Sequence, residues 1–178
     1  MQNNSKRYKY IFLVESKNDK NDSDYPYITK VIDEVYGARA LGHKFQPLYM
    51  NGKGNYNDKE KRIAKEISSY SGTKSFVFVC VDIDTYEKSS YQLNKEITSY
   101  CSKNNYDFIW FKNDIENVFL KKTIEQNQKV SEAKKFYKKG NVMDNIKELS
   151  YPNNDYDKAR NGQSNILTVL DKYFHRIK

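Results

Sequence analysis

Along this 178-residue chain, short apolar runs alternate with longer stretches in which apolar residues recur at helical spacing. Tyr10-Ile11-Phe12-Leu13-Val14 is apolar without a break, the pattern of a strand covered on both faces in a parallel sheet. It stops abruptly at Glu15-Ser16-Lys17-Asn18-Asp19. Pro26 then stands where it can open a helix running to about Tyr36, with Ile28, Val31, Ile32 and Val35 on one face. A second strand covers part of residues 45–50, interrupted by Pro47, and ends at Asn51-Gly52-Lys53-Gly54-Asn55. Helical spacing resumes near Asp58 and lasts to about Tyr70. The most apolar strand is Phe76-Val77-Phe78-Val79-Cys80-Val81, followed by Asp82-Ile83-Asp84 and a helix over about 90–103. The pattern recurs once more: Phe108-Ile109-Trp110-Phe111 is a strand, and Asn113-Asp114-Ile115-Glu116-Asn117 leads into helical sequence.

Four strands alternating with helices predict an α/β fold with an open, mostly parallel four-stranded sheet and helices on both faces, because parallel neighbours need crossover connections. After Leu120 only helical patterns remain, over about 131–139, 142–149 and 165–177, with a loop over 151–163. These read as helices packed on the sheet. The expected organisation is one domain, with a core over about 8–120 and a C-terminal helical extension over 121–178.

Composition adds three constraints. Sixteen Tyr and nine Phe supply large buried area, so a folded globule is expected although only 38% of residues are hydrophobic. A formal charge of +8 points to polyanionic partners, DNA or RNA first; scattered solvated lysines of a Lys-, Asn- and Tyr-rich composition explain the same number. The two cysteines, Cys80 and Cys101, have no zinc-site or disulfide spacing, which suits a reducing cytoplasm. The first ten residues are polar and basic, and the apolar run after them is too short for a membrane span or signal core.

The candidate chemistry lies in acids that follow strand ends: Glu15 after the first, Asp82 and Asp84 after the third, Asp114 and Glu116 after the fourth. In open α/β sheets that edge is where ligands bind. Asp82 and Asp84 are two apart, so continued strand geometry points both the same way, as a two-carboxylate jaw, while Ile83 faces the core. Crowded carboxylates repel one another unless a cation neutralises them, and hard oxygen donors without His or Cys favour Mg²⁺ or Mn²⁺ over zinc. One acid at one strand end is more simply a turn former or helix cap; the conjunction across three strand ends is what points to metal. His43 and His175 read as ordinary loop and terminal-helix residues. Lys17 and Lys53 lie nearest the edge as candidates for nucleic-acid phosphates, although Lys53 reads more simply as a solvated turn residue. The run Lys134-Lys135-Phe136-Tyr137-Lys138-Lys139 is either a second contact or a charged face over an aromatic core contact.

Leu13-Val14-Glu15-Ser16-Lys17-Asn18-Asp19 resembles the Toprim signature, in which a strand ends in Glu, usually followed by Gly, with a second acid four residues on. Asp82-Ile83-Asp84 resembles its later Asp-x-Asp motif, and Gly52 matches the glycine commonly found between the two. Asn113 through Leu120, with Glu116 before Phe119-Leu120, and Gln163-Ser164-Asn165-Ile166 are similar to features of the RloB-like Toprim proteins. The resemblance implies a Rossmann-like Toprim fold and metal-assisted phosphodiester chemistry, as in topoisomerases, primases and overcoming-lysogenization-defect nucleases. It also implies a setting in restriction or phage defence, often beside an ATPase partner. By it, Glu15 is general acid or base and metal ligand, Asp82 and Asp84 are metal ligands, and Asp19 or Glu116 serves a second metal. Ser16 stands where Gly is usual, which strains the turn if positive φ is required there.

The leading expectation is therefore a Mg²⁺-dependent nuclease or related phosphodiester-transfer enzyme. The alternative is a non-catalytic nucleic-acid- or partner-binding subunit of a defence complex. A phosphoacceptor receiver domain also uses acids at strand ends, but the sequence offers no lysine after a fifth strand.

Overall fold

The computed structural model describes residues 6–72, 74–84, 88–152 and 155–177. Strands β1 (Tyr8–Val14), β2 (Lys44–Tyr49), β3 (Lys74–Ile83) and β4 (Asp107–Lys112) form one sheet in the order β2-β1-β3-β4. All three pairings are parallel. β3 runs past its apolar core to Ile83 because β4 continues beside it, pairing Asp82 with Phe111 and Ile83 with Lys112.

Strand alternation divides the apolar side chains between two cores. Tyr10, Phe12, Val14, Phe78 and Cys80 face one, covered by α1 (Tyr25–Tyr36), α4 (Ile115–Leu120), α5 (Lys129–Lys139) and α6 (Ile166–Leu170). Ile11, Leu13, Val79, Val81 and Ile83 face the other, covered by Ile63 of α2 (Glu60–Ser68) and by Ile97 and Cys101 of α3 (Lys88–Asn104). Ile11 to Val14 are all fully buried, which is why that half of β1 is apolar without a break; Lys9, the one charged position of the strand, is also fully buried and donates to the Glu66 carbonyl (2.7 Å) and carboxylate (2.5 Å). Pro26 occupies the first turn of α1, where its missing N–H costs no hydrogen bond.

Two expected helices are corrected. Residues 142–149 form two short 3-10 turns, Val142–Asn145 and Glu148–Ser150, because Asn141 accepts the Met143 N–H and Asn145 donates to the Phe119 carbonyl. Residues 165–177 are α-helical only over α6; beyond it the chain drops back so that Tyr173 and Phe174 enter the aromatic cluster around Tyr10. The basic run at 134–139 is a charged helix face above buried Ala133 and Phe136.

Residues 162–165 close the outer edge of β4. The Lys112 N–H donates to the Gln163 carbonyl (2.9 Å), and the Gly162 N–H to the Lys112 carbonyl (3.2 Å). The Asn165 side chain accepts the Trp110 N–H and donates to the Phe108 carbonyl, both at 2.9 Å. Ser164 Oγ donates to the Trp110 carbonyl (2.6 Å).

Candidate functional site

Glu15 follows β1 directly and Asp82 is the penultimate residue of β3, on the neighbouring strand. The helix after β1 lies on one face of the sheet and the helix after β3 on the other. Connections that part in this way leave a crevice between the strand ends, the usual ligand site of open α/β sheets. Glu15 and Asp82 stand on its two sides.

Glu15 Oε1 accepts the Asp82 backbone N–H at 2.6 Å, and Asp82 Oδ1 accepts the Ile115 N–H, at the start of α4, at 3.0 Å. Neither Glu15 Oε2 nor Asp82 Oδ2 takes part in any of the described hydrogen bonds. Asp24, just before α1, completes the acidic wall: Oδ2 accepts the Ser16 N–H and Oδ1 the Ser23 hydroxyl, both at 2.8 Å. Glu15, Asp24, Asp82, Lys17, Gln126 and Lys129 line one open cavity of about 620 Å³.

Electrostatics set these carboxyls apart. Burial pushes Glu15 up to about 7, against the opposing Asp82 N–H and Lys53; Asp24 and Asp84 add to the rise. Burial holds Asp82 well above the usual carboxylate range, reinforced by Glu15, Asp24 and Glu116 and opposed by Lys129. Two acids that resist ionising beside a shared cavity mark it as the candidate site.

The other expected site residues fall elsewhere. Asp84 is exposed and its carboxylate pairs with Lys53 (3.1 Å), whose ammonium also donates to the Asp82 carbonyl (2.8 Å). The two-carboxylate jaw is therefore not closed on the cavity: Lys53 holds Asp84 while Asp82 bonds the start of α4. Lys53 itself is occupied by these contacts, whereas Lys17 is exposed at the cavity. Asp19 lies in an exposed 3-10 turn (Asp19–Asn21), accepting the Lys20 N–H at 2.9 Å, and is not part of the cavity wall. Asp114 caps α4 through the Asn117 N–H. Glu116 is fully buried and bound to Lys129 at 2.8 Å. His43 accepts the Tyr8 N–H and packs on Tyr8, Tyr10 and Phe174.

Ser16 is not among the positive-φ residues, so serine introduces no left-handed strain; its Oγ accepts the Ser23 N–H at 3.0 Å. Gly52 does need its lack of side chain, at φ 100°. Its N–H and that of Asn51 donate to the carbonyls of Glu15 and Ser16, tying the loop after β2 to the site. Asp24, Gln126 and Lys129 were not legible as site residues. Asp24 sits where a helix cap is ordinary, and α5 reaches the cavity only through tertiary packing.

Among the described residues, no three His, Cys, Asp or Glu side chains converge as a finished metal cage. The donors present still suit a hard cation. Mg²⁺ keeps much of its own water and binds through one or two carboxylates, and here two half-buried carboxyls that line a roomy cavity each keep an oxygen outside the described hydrogen bonds. Searches against family models, curated proteins and solved structures found no match to this chain. No helix among the described residues is long and apolar enough to cross a membrane.

Proposed function

We propose that the chain is a Toprim-type, divalent-metal-dependent enzyme that breaks phosphodiester bonds in nucleic acid. The observation that carries this reading is the pairing of Glu15 and Asp82 across the crevice between β1 and β3, two half-buried carboxyls of raised pKa on one open cavity. Glu15 and Asp82 would hold Mg²⁺ or Mn²⁺, which when bound supplies positive charge to phosphate oxygens. Asp82 is oriented by the Ile115 N–H, leaving Oδ2 for the cation. Glu15, by the resemblance, would move a proton at its carboxylate oxygen, from an attacking water or to a leaving oxygen. Lys17, exposed where it lines the cavity, would meet a backbone phosphate. The resemblance supports a setting in phage defence beside an ATPase partner, and the charge of +8 suits a polyanion.

The test is incubation of the purified chain with single- and double-stranded DNA and RNA in Mg²⁺, Mn²⁺ or chelator, beside Glu15→Gln and Asp82→Asn. Cleavage in metal, at least 100-fold weaker in both variants, is expected. Folded protein that cuts nothing, yet binds nucleic acid equally with and without metal, would replace this reading with the non-catalytic binding subunit.

A further inference from the structure

Behind the acidic wall lies an ion pair that the proposed chemistry has not used. Glu116 of α4 is completely buried, and Oε2 accepts from the Lys129 ammonium at 2.8 Å. Glu116 Oε1 is buried with no partner, and the neighbouring Tyr27 hydroxyl is also unpartnered. Lys129 belongs to both environments: its side chain is 20% exposed and lines the cavity shared by Glu15 and Asp82.

Burying a carboxylate to hold one lysine is a poor stability device, because desolvation offsets most of the attraction and apolar residues of similar size do as well. The arrangement is better explained by what it does to the lysine. An ammonium has three donors, and the described contacts use one. Glu116 is locked in the core, so the Lys129 stem is held in one direction with donors left for an anion. A cation placed beside carboxyls that would hold a metal meets the same phosphate from another side.

We propose that Lys129, supplied by α5 from outside the sheet core and steered by Glu116, is the phosphate-binding cation of this cavity. The assignment rests on the phosphodiester reading above and deepens it by naming the group that grips the substrate. Glu116 is then a positioning residue and not a ligand to a second metal.

The experiment compares the full chain with Lys129→Arg and with the double variant Lys129→Met/Glu116→Gln, which removes both charges and so leaves no unpaired carboxylate in the core. Circular dichroism checks folding. Mn²⁺ uptake is followed by loss of the free-ion paramagnetic signal, and binding of inorganic phosphate by equilibrium dialysis in Mn²⁺ and in chelator. The double variant should take up Mn²⁺ within threefold of the unmodified chain while its phosphate affinity falls at least tenfold in both conditions, and Lys129→Arg should recover most of that loss. A folded double variant that binds phosphate as tightly as the unmodified chain would overturn the proposal, leaving the pair as a pin between α4 and α5. Absence of Mn²⁺ uptake by the unmodified chain would overturn the metal reading instead, and the chelator arm would still judge Lys129. An unmodified chain that binds phosphate in neither condition would overturn the role of Lys129.

Discussion

Gly52 sits at φ 100° and ψ 146°, a conformation that side chains resist, yet an added Cβ would meet no atom within 4 Å. Gly52→Ala therefore tests backbone strain without a clash, and should destabilise the fold by about 1–3 kcal/mol. Because the Gly52 N–H holds the Glu15 carbonyl at 2.8 Å, Mn²⁺ affinity should fall as well. Urea midpoints and Mn²⁺ titration read the two effects, and an unshifted midpoint would mean the loop relaxes freely. Residues of this kind were legible in the sequence for a physical reason. Glu15 and Asp82 each interrupt or follow a run buried on both faces, so a charge there must sit at the sheet edge. Lys129 carries no such mark, since its neighbours in sequence are ordinary helix-surface residues and only the packing of α5 brings it to the cavity.

At the scale of elements, Asn165 does the work of a missing strand. Its side chain imitates a peptide group, accepting from Trp110 and donating to Phe108 on the outer edge of β4. Asn165→Ala leaves a buried N–H and a buried carbonyl without partners, at about 1–3 kcal/mol each. The expected outcome is a fall in the denaturant midpoint worth about 2–5 kcal/mol, with faster amide exchange at Trp110; loss confined to a few tenths of a kcal/mol would contradict this role. The strands and the first three helices were legible because continuous apolar runs and 3.6-residue spacing are local signals. Residues 142–149 and 171–177 were not, although their apolar spacing is helical. Asn141 and Asn145 bond nearby or distant backbone instead of leaving it to a helix, and the Ile177 N–H is taken by the Val35 carbonyl at 2.7 Å. The bonds of Asn145 and Ile177 reach partners far away in sequence, which no local pattern records.

Over the whole molecule, half-buried and buried acids couple the fold to pH. Glu15 rises from 4.5 to about 7 on folding, and Asp82, Glu116 and Asp22 rise also, each chiefly through burial. The folded state therefore binds more protons than the unfolded one between the unfolded and folded values. In chelator, stability contributed by protonated Glu15 is present below about pH 4.5 and is lost as pH climbs through about 7. Metal must displace such protons, so Mn²⁺ affinity should rise with pH up to neutrality, by about tenfold per unit for one displaced proton, and then level off. Thermal melts from pH 5 to 8 with and without Mn²⁺ should show the two curves diverging, and Glu15→Gln should flatten both; parallel curves would refute the coupling. The seal on β4 also sets a schedule. Asn165 follows Trp110 by 55 residues, and synthesis at 5–20 residues per second makes that roughly 3–11 s of waiting. During that interval a growing chain carries an unprotected strand edge, open to pairing with neighbouring nascent chains. Holding that edge apart until residue 165 emerges is a task for the ribosome surface or a chaperone, and yield in the cell should depend on it.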